Sequence, residues 1–239
     1  MTWLIKIILG ITLTPYTVVT NGKTMINFVC VYHRNKRTPY SHDYVLKLKN
    51  MVARNYTKPH QFHCLSNVKL PIATIPLKHN WIGWWSKIEL FRPNLFNGPV
   101  FYLDLDIIVC NNFEYILNKL DYKNFYMIKS VKPTSGNANS SIMSWQGDYS
   151  FIYENFQRNT QAIMSKYHKG NLIGDQAYTQ ASLTNMKFMD DEVGQFINWQ
   201  HHMIEQKDPL SSPVFTIYAG RYKKPHLQKH NPLVKKYWI

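Results

Sequence analysis

The sequence predicts an α/β fold built on a mixed, mainly parallel central sheet flanked by helices. Two observations carry that expectation. Residues 26–32 (INFVCVY) and 60–66 (HQFHCLS) read as strands, and the segment between them has helical periodicity. A strand–helix–strand order of this kind pairs its two strands in parallel. Residues 100–109 (VFYLDLDIIV) then give the strongest strand signal in the chain, with further helices and strands after it.

Each element follows from local chemistry. The first strand is an apolar run of β-branched and aromatic residues. Arg34 to Tyr40 is polar, basic and broken by Pro39, so it is a loop. Ser41 is placed to cap a helix running to about Tyr56, in which Tyr44, Val45, Leu48, Met51 and Val52 recur at helical spacing. An irregular stretch with Pro71 and Pro76 follows the second strand. In WIGWWSKIELFRP, Trp84, Ile88 and Phe91 suit one helix face and Pro93 ends the helix. Gly98-Pro99 makes a turn before the strand 100–109. Asn111 or Asn112 caps a short helix through Leu120, and residues 125–131 form another strand. After a polar loop, Thr134–Ser140, SIMSW reads as a short strand. A helix runs from about Asp148 to Lys166, and Gly170 separates it from a second helix beginning near Asp175. From Ser211 the chain is basic and carries Pro213, Pro225 and Pro232, so it is expected to wrap over the domain without long elements.

Composition bounds the function classes. The 239 residues suffice for one large domain, and a 45% hydrophobic share can fill its core. A single domain over 25–239 is expected, with residues 1–24 as an appendage. Twenty-eight Lys and Arg against 14 Asp and Glu give a formal charge of +14. Such a surface attracts nucleic acid, anionic lipid headgroups or phosphorylated small molecules, and charge alone does not choose among them. Cys30, Cys64 and Cys110 are odd in number, widely spaced and set in apolar runs. They read as buried free thiols in a reducing compartment, not as a disulfide framework or a zinc site. Residues 3–19 are mostly apolar, but they contain Lys6, Gly10 and Pro15 and fall short of the ~20 residues of a spanning helix. Three readings stay open for residues 1–24: an upstream start-codon extension, a weak membrane anchor, or an edge segment. The expected location is cytoplasmic, with membrane association through this stretch or through the basic tail.

The chemistry concentrates in residues 100–109. Eight of the ten are apolar, and the exceptions are Asp104 and Asp106. Two carboxylates close together in such a run are opposed by desolvation and mutual repulsion. A bound divalent cation removes that cost, since hard cations prefer oxygen ligands. On an extended strand the i, i+2 spacing puts both on one face. They would emerge at the carboxyl end of a central strand, where open α/β sheets bind ligands.

Here the chain resembles a known family. GPVFYLDLDIIV is similar to the Asp-x-Asp segment of the nucleotide-diphospho-sugar transferases with the Rossmann-like GT-A fold. Residues 29–66 resemble their first β–α–β unit, which holds the nucleobase. NSSIMSW, GDQAYTQ and GRYKKPH resemble, in order, the sugar-binding strand, the Asp-Gln helix start and the terminal Gly-x-x-Lys-Pro-Trp/His motif of family-eight (galactosyltransferase and glycogenin-like) enzymes. The set spans roughly residues 25–226. There are departures: Ala219 stands where a metal-binding His precedes the terminal Gly, one extra residue precedes Lys224-Pro225-His226, and Ser141 replaces a usual Gly.

The resemblance implies metal-dependent transfer of a sugar from a nucleotide-sugar donor, a UDP-sugar above all, to a carbohydrate-containing acceptor. The implied metal is Mn²⁺ or Mg²⁺ on Asp104 and Asp106, with His226 as a substitute third ligand. Val31 and Tyr32 fall at the base-binding wall, although Tyr32 equally suits core packing. Lys224 and then Lys87 are the candidates for diphosphate contacts, against the alternative of solvated surface lysines. Asn139 and Ser140 are placed for donor hydroxyls or for an ordinary turn. Asp175 is placed for a sugar hydroxyl or for helix capping, and Gln176 for a position beside the anomeric carbon. One or two of Trp81, Trp84, Trp85 and Trp145 are expected to face the cleft. The acidic cluster Asp190, Asp191 and Glu192 reads as a helix N-terminus.

Two other classes compete. A haloacid-dehalogenase-type phosphatase also uses Asp-x-Asp after an apolar strand, with Asp190-Asp191 as its later acidic pair; its motif, however, follows the first strand of the core. A basic nucleic-acid-binding protein suits the charge, but the charge is dispersed and no recognition motif is present. The tail, with Tyr222, Tyr237 and Trp238 among basic residues, also suits peripheral contact with an anionic membrane.

Overall fold

The structure is a computed structural model, and it describes residues 19–20, 23–36, 38–132, 136–168, 173–200, 209–220 and 223–239. Much of the appendage therefore lies outside the described residues; within it, β1 (Val19–Thr20) and β2 (Lys23–Thr24) pair with each other. The strands that follow are β3 (Ile26–Tyr32), β4 (His60–Ser66), β5 (Thr74–Pro76), β6 (Val100–Leu103), β7 (Ile107–Val109), β8 (Phe125–Lys129), β9 (Ala138–Trp145), β10 (Met186–Phe188), β11 (Ile197–Trp199) and β12 (Phe215–Ile217). The helices are α1 (His42–Asn55), α2 (Glu114–Lys119), α3 (Ser150–Arg158), α4 (Thr160–Lys166), α5 (Gly174–Ser182), α6 (Met189–Val193) and α7 (Pro232–Tyr237).

The main sheet has seven strands in the order β10-β8-β9-β6-β3-β4-β5. β6, β3, β4 and β5 run parallel to one another, and β9 runs antiparallel to both of its neighbours. This is the mixed, mainly parallel α/β sheet expected. Successive residues of β3 enter opposite cores: Phe28 and Cys30 pack on the α1 side, Val29 and Val31 on the other. Burial on both faces explains why the strand is apolar without alternation.

The run 100–109 is not one strand. β6 ends at Leu103, residues 104–106 turn, and β7 joins a second sheet of order β11-β12-β7. The apolar run continues past the turn because Ile107, Ile108 and Val109, as a strand of that second sheet, are fully buried in the core. The two aspartates thus sit where the chain passes from one sheet to the other, not on one face of an extended strand.

Other differences are local. Gly83–Phe91 is a 3-10 helix, opened by Gly83 at φ 66°, where an α-helix was expected. Its three-residue repeat puts Trp84 and Lys87 on one ridge and the buried Trp85, Ile88 and Phe91 on another. β9 begins at Ala138, so Asn139 and Ser140 lie in a strand and not in a turn. Helix 148–166 is two helices broken at Asn159. Phe113 stands at the cap of α2, while Asn112 Oδ1 accepts from Glu114 N at 2.9 Å. The strands β11 and β12, three residues each, carry no periodicity long enough to be seen in the sequence.

The tail does wrap over the domain in short pieces. Asn231 caps α7 by accepting from Leu233 N at 2.9 Å, with Pro232 at the first helical position. Trp238 then packs on Tyr44 of α1, ring centroids 4.9 Å apart, and Lys47 donates to the Trp238 carbonyl at 3.0 Å. The three cysteines are buried and free, as expected. Among the described residues no helix is long and apolar enough to cross a membrane.

Candidate active site

The carboxyl ends of β3 and β6 and the start of β9 meet at one end of the sheet, because β9 runs antiparallel to β6. Asp104 N donates to the Ser141 carbonyl at 2.8 Å, and Tyr218 N donates to the Asp106 carbonyl at 3.0 Å. The first bond pins the turn to the main sheet, and the second pins it to the strand end of β12. A cavity of about 450 Å³ opens there. Val31, Lys87, Asp104, Asp106, Ser140, Asp175, Gln176 and Lys224 all line it.

The charged groups form two linked pairs. Lys87 Nζ lies 2.9 Å from Asp104 Oδ1 and 3.5 Å from Asp175 Oδ2, and donates to Ser140 Oγ at 3.2 Å. Ser140 in turn donates to Asp175 Oδ2 at 2.6 Å. Lys224 Nζ is in close contact with Asp106 Oδ2. Three carboxylates therefore face two ammoniums, an excess of one negative charge among the described lining residues.

Burial shapes the electrostatics. It pushes the Asp106 carboxyl above the usual range, against the pull of Lys224, and does the same to Asp175 against the pull of Lys87. Burial works against the Lys87 ammonium, but Asp104 and Asp175 outweigh it and hold that pKa above the ordinary value.

Two tyrosines complete the shell and were not anticipated. Tyr102 donates to Asp104 Oδ1 at 2.5 Å, and Tyr40 donates to Asp106 Oδ2 at 3.2 Å. Burial, then the adjacent carboxylates, raise both phenols, so both remain donors. Tyr102 stands two residues before Asp104, a spacing that was visible in the strand pattern. Tyr40 ends a polar loop and carried no such signal.

The other expected residues scatter. Tyr32 lines an adjacent hollow of about 690 Å³, which shares Asn35, Thr38 and Tyr40 with the cavity. Asn139 lies outside the lining and accepts from Ser141 N at 2.8 Å. His226 also lies outside it, in a 2.5 Å hydrogen bond with the Tyr44 hydroxyl. Burial, then Lys224 and Lys229, lower its pKa. Of the four tryptophans, Trp84 lines the cavity, while Trp85 and Trp145 stack on Phe156 and Phe125 in the core. Trp81 stacks on His79. Gly174, at the head of α5, lies under Trp84: a Cβ there would come within 2.8 Å of the indole Nε1.

The phosphatase alternative needs Asp190-Asp191 beside Asp104 and Asp106. Instead Asp190 accepts from Lys129 N at 2.8 Å, Asp191 pairs with the Lys129 ammonium, and neither lines the cavity. Both sit in the first turn of α6, as the sequence suggested. Among the described residues no three His, Cys, Asp or Glu side chains form a self-sufficient metal cluster.

No protein-family model and no curated protein matches the chain. Solved structures do. An active-site variant of LgtC superposes with a TM-score of 0.60 over 88% of this chain and 93% of that one, at 12% identity. The galactosyltransferase LgtC in complex with donor and acceptor sugar analogues gives 0.59 over 88% and 96%, also at 12%. The glycosyltransferase GlyE of Streptococcus pneumoniae TIGR4 gives 0.61 at 15% identity, over 86% of this chain and 57% of that one. The chain has the GT-A glycosyltransferase fold. In that GT-A frame, the turn between β6 and β7 carries Asp104 and Asp106 at the carboxyl end of the parallel strands, where open α/β sheets place their ligands.

Proposed function

We propose that this chain transfers a sugar from a nucleoside diphosphate sugar, a UDP-sugar above all, to a carbohydrate-containing acceptor. The supporting observation is the convergence of Asp104, Asp106, Asp175, Lys87 and Lys224 on one cavity of a GT-A frame. The hollow beside Tyr32 takes the nucleoside, and the cavity takes the diphosphate and its sugar; their shared wall lets one ligand span both.

The departing nucleoside diphosphate gains negative charge as the glycosidic bond breaks. Lys87 and Lys224 donate charge-assisted hydrogen bonds to its oxygens. Asp175, held by Ser140, accepts from a donor hydroxyl and fixes the sugar ring. Gln176, half-buried at the head of α5, lies against the anomeric carbon. Trp84, 49% exposed at the mouth, offers an apolar face to an acceptor ring.

The donor set suits Mn²⁺ or Mg²⁺ shared with the substrate. Such hard cations are held by one or two carboxylates plus substrate phosphates rather than by an all-protein cage. Asp104 and Asp106 supply the carboxylates, and the excess negative charge of the cavity favours a cation. When bound, that cation supplies Lewis-acid stabilisation of the departing diphosphate. His226 would have to leave Tyr44 to join it. Lys229, Lys235 and Lys236, exposed on the tail, support peripheral contact with anionic lipid; absence of flotation with phosphatidylserine liposomes would remove that partner.

A thermal-shift panel of nucleotide sugars, with and without Mn²⁺, tests the reading. One sugar nucleotide should raise Tm by linkage, and Asp104→Asn or Asp106→Asn should abolish the Mn²⁺-dependent part while circular dichroism stays unchanged. No shift with any nucleotide would reject it.

A further inference from the structure

A second cavity, of about 310 Å³, lies at the other end of the main sheet. Val100, where β6 begins, and Trp145, where β9 ends, pair with each other and line it. Asp104, past the far end of β6, is ~13 Å away at about 3.3 Å per residue. The 3-10 helix borders both cavities: Trp84 and Lys87 line the first, Leu90 and Phe91 the second. Two loops wall the second one. Asn94 at φ 56° and Gly98 at φ 95° turn one loop, and Gly147 at φ 104° turns the other. Asn94 is the one non-glycine residue at positive φ among the described residues, a conformation that asparagine tolerates better than most.

The lining suits hydroxyl groups. The side-chain amides of Asn94, Asn97 and Gln146 are exposed at the rim and make no hydrogen bond among the described residues. Each amide offers two donors and an acceptor, which matches groups that both give and take hydrogen bonds. Phe96, half-buried in the wall, gives an apolar face to a ring. Arg92, also in the lining, is 7% exposed. Its Nη1 donates to the Pro76 carbonyl at 3.0 Å and lies 3.4 Å from Glu89 Oε2, while its Nε is buried without a partner. Glu89 is fixed in turn by Lys78 N and His79 N, which donate to it at 2.7 and 2.9 Å. The guanidinium is therefore held in place with one donor unmet, and an oxygen in the cavity removes that cost. Charge narrows the ligand further. Arg92 and Asp148 are the charged residues of the lining, and Arg92 already has Glu89. This leaves no positive surplus for a phosphate or a nucleic acid, although the chain as a whole carries +14.

We propose that this cavity is a second carbohydrate site, which binds a short neutral saccharide at a distance from the reacting groups. The amides of Asn94, Asn97 and Gln146 take its hydroxyls, Phe96 covers a ring face, and Arg92 supplies a fixed donor. Its volume is at the lower end of the range for small-molecule sites, about 300–1,000 Å³. The site goes beyond the donor reading and does not depend on it.

The test is saccharide binding, read by saturation-transfer difference NMR and calorimetry. The neutral probes are maltotriose, cellotriose and lacto-N-tetraose, and a hyaluronan tetrasaccharide is the acidic one. At least one neutral probe should bind the wild type saturably. An Asn97→Ala, Gln146→Ala double variant, with its fold checked by circular dichroism, should bind that probe about five-fold more weakly or worse. Gln146→Ala alone should fall between the two. Trp84→Ala, altered at the first cavity, should bind the probe as the wild type does. Absence of saturable binding by every neutral probe overturns the proposal. So does binding that survives the double variant and is lost in Trp84→Ala, which would place the saccharide in the first cavity. Tighter binding of the acidic probe than of any neutral one overturns it as well. A chain that binds no nucleotide but loses its saccharide in the double variant keeps this site and rejects the donor reading.

Discussion

Replacing Lys87 by methionine isolates the electrostatics of the cavity from its shape. Methionine keeps an unbranched apolar stem of similar length, so little packing is lost. What disappears is the ammonium shared by Asp104 and Asp175, whose side chains are 20% and 6% exposed. Three carboxylates then face Lys224 alone. Removing one partner of a buried ion pair costs about 3–5 kcal/mol, and the partial exposure of Asp104 places the expected loss near the lower end, ~3 kcal/mol. For a chain of this size, that lowers Tm by roughly 6–12 °C. The loss also depends on pH. Asp175 already has a raised pKa, from burial opposed by Lys87, and removal of Lys87 raises it further. A carboxyl whose folded pKa lies above its unfolded one destabilises the fold at higher pH, and that penalty shrinks as pH falls through the folded value and is gone below the unfolded one. Urea denaturation at about pH 8 and again near pH 4, close to the unfolded carboxylate value, should therefore show a large difference between wild type and variant that shrinks on the acid side. A difference below ~1 kcal/mol at both pH values would mean that Lys87 is a solvated lysine holding no carboxylate in place.

Three further outcomes follow. Burial depresses His63 from 6.5 to about 4, so its contribution to stability is full above about pH 6.5 and is lost as pH falls toward 4, on the order of 3 kcal/mol. Asp106 and Asp175 act in the opposite sense, so the check is the difference between wild type and His63→Asn in urea melts, which should narrow across that window. Gly174→Ala forces an L-residue to φ 74° and drives its Cβ against Trp84, so Tm should fall by several degrees, the loss being ~1–2 kcal/mol or more, with a shift in tryptophan fluorescence. Trp84→Ala should raise the KM for acceptor and leave nucleotide affinity unchanged within about two-fold, since it removes only an exposed face at the mouth.

How much of this was legible depended on which interactions are local. The first β–α–β unit could be read because β3 and β4 are long, doubly buried strands and α1 carries a continuous apolar stripe. The chemistry of Asp104 and Asp106 could be read because carboxylates in an apolar run demand a reason. Their geometry could not. The turn that aims them exists because β12, more than a hundred residues later, pairs with β7 and draws the chain out of the main sheet. The same long-range pairing brings Lys224 to Asp106, and no spacing in the sequence encodes that contact. Tyr40 and Tyr102 were missed for a related reason: a tyrosine in an apolar or loop context looks like packing until its hydroxyl is seen on a carboxylate. His226 shows the converse. A motif position drew attention to it, while its place beside Tyr44 is fixed by the packing of the tail on α1.

Calorimetric titration of uridine diphosphate in the presence of Mn²⁺ tests the central claim, that the buried Lys224, the half-buried Lys87 and an aspartate pair form one diphosphate site. Wild type should bind one equivalent saturably, and a Lys87→Met, Lys224→Met double variant that retains its circular dichroism spectrum should bind roughly ten- to hundred-fold more weakly. Wild type without saturable heat, or a double variant that binds as tightly as wild type, would contradict the account.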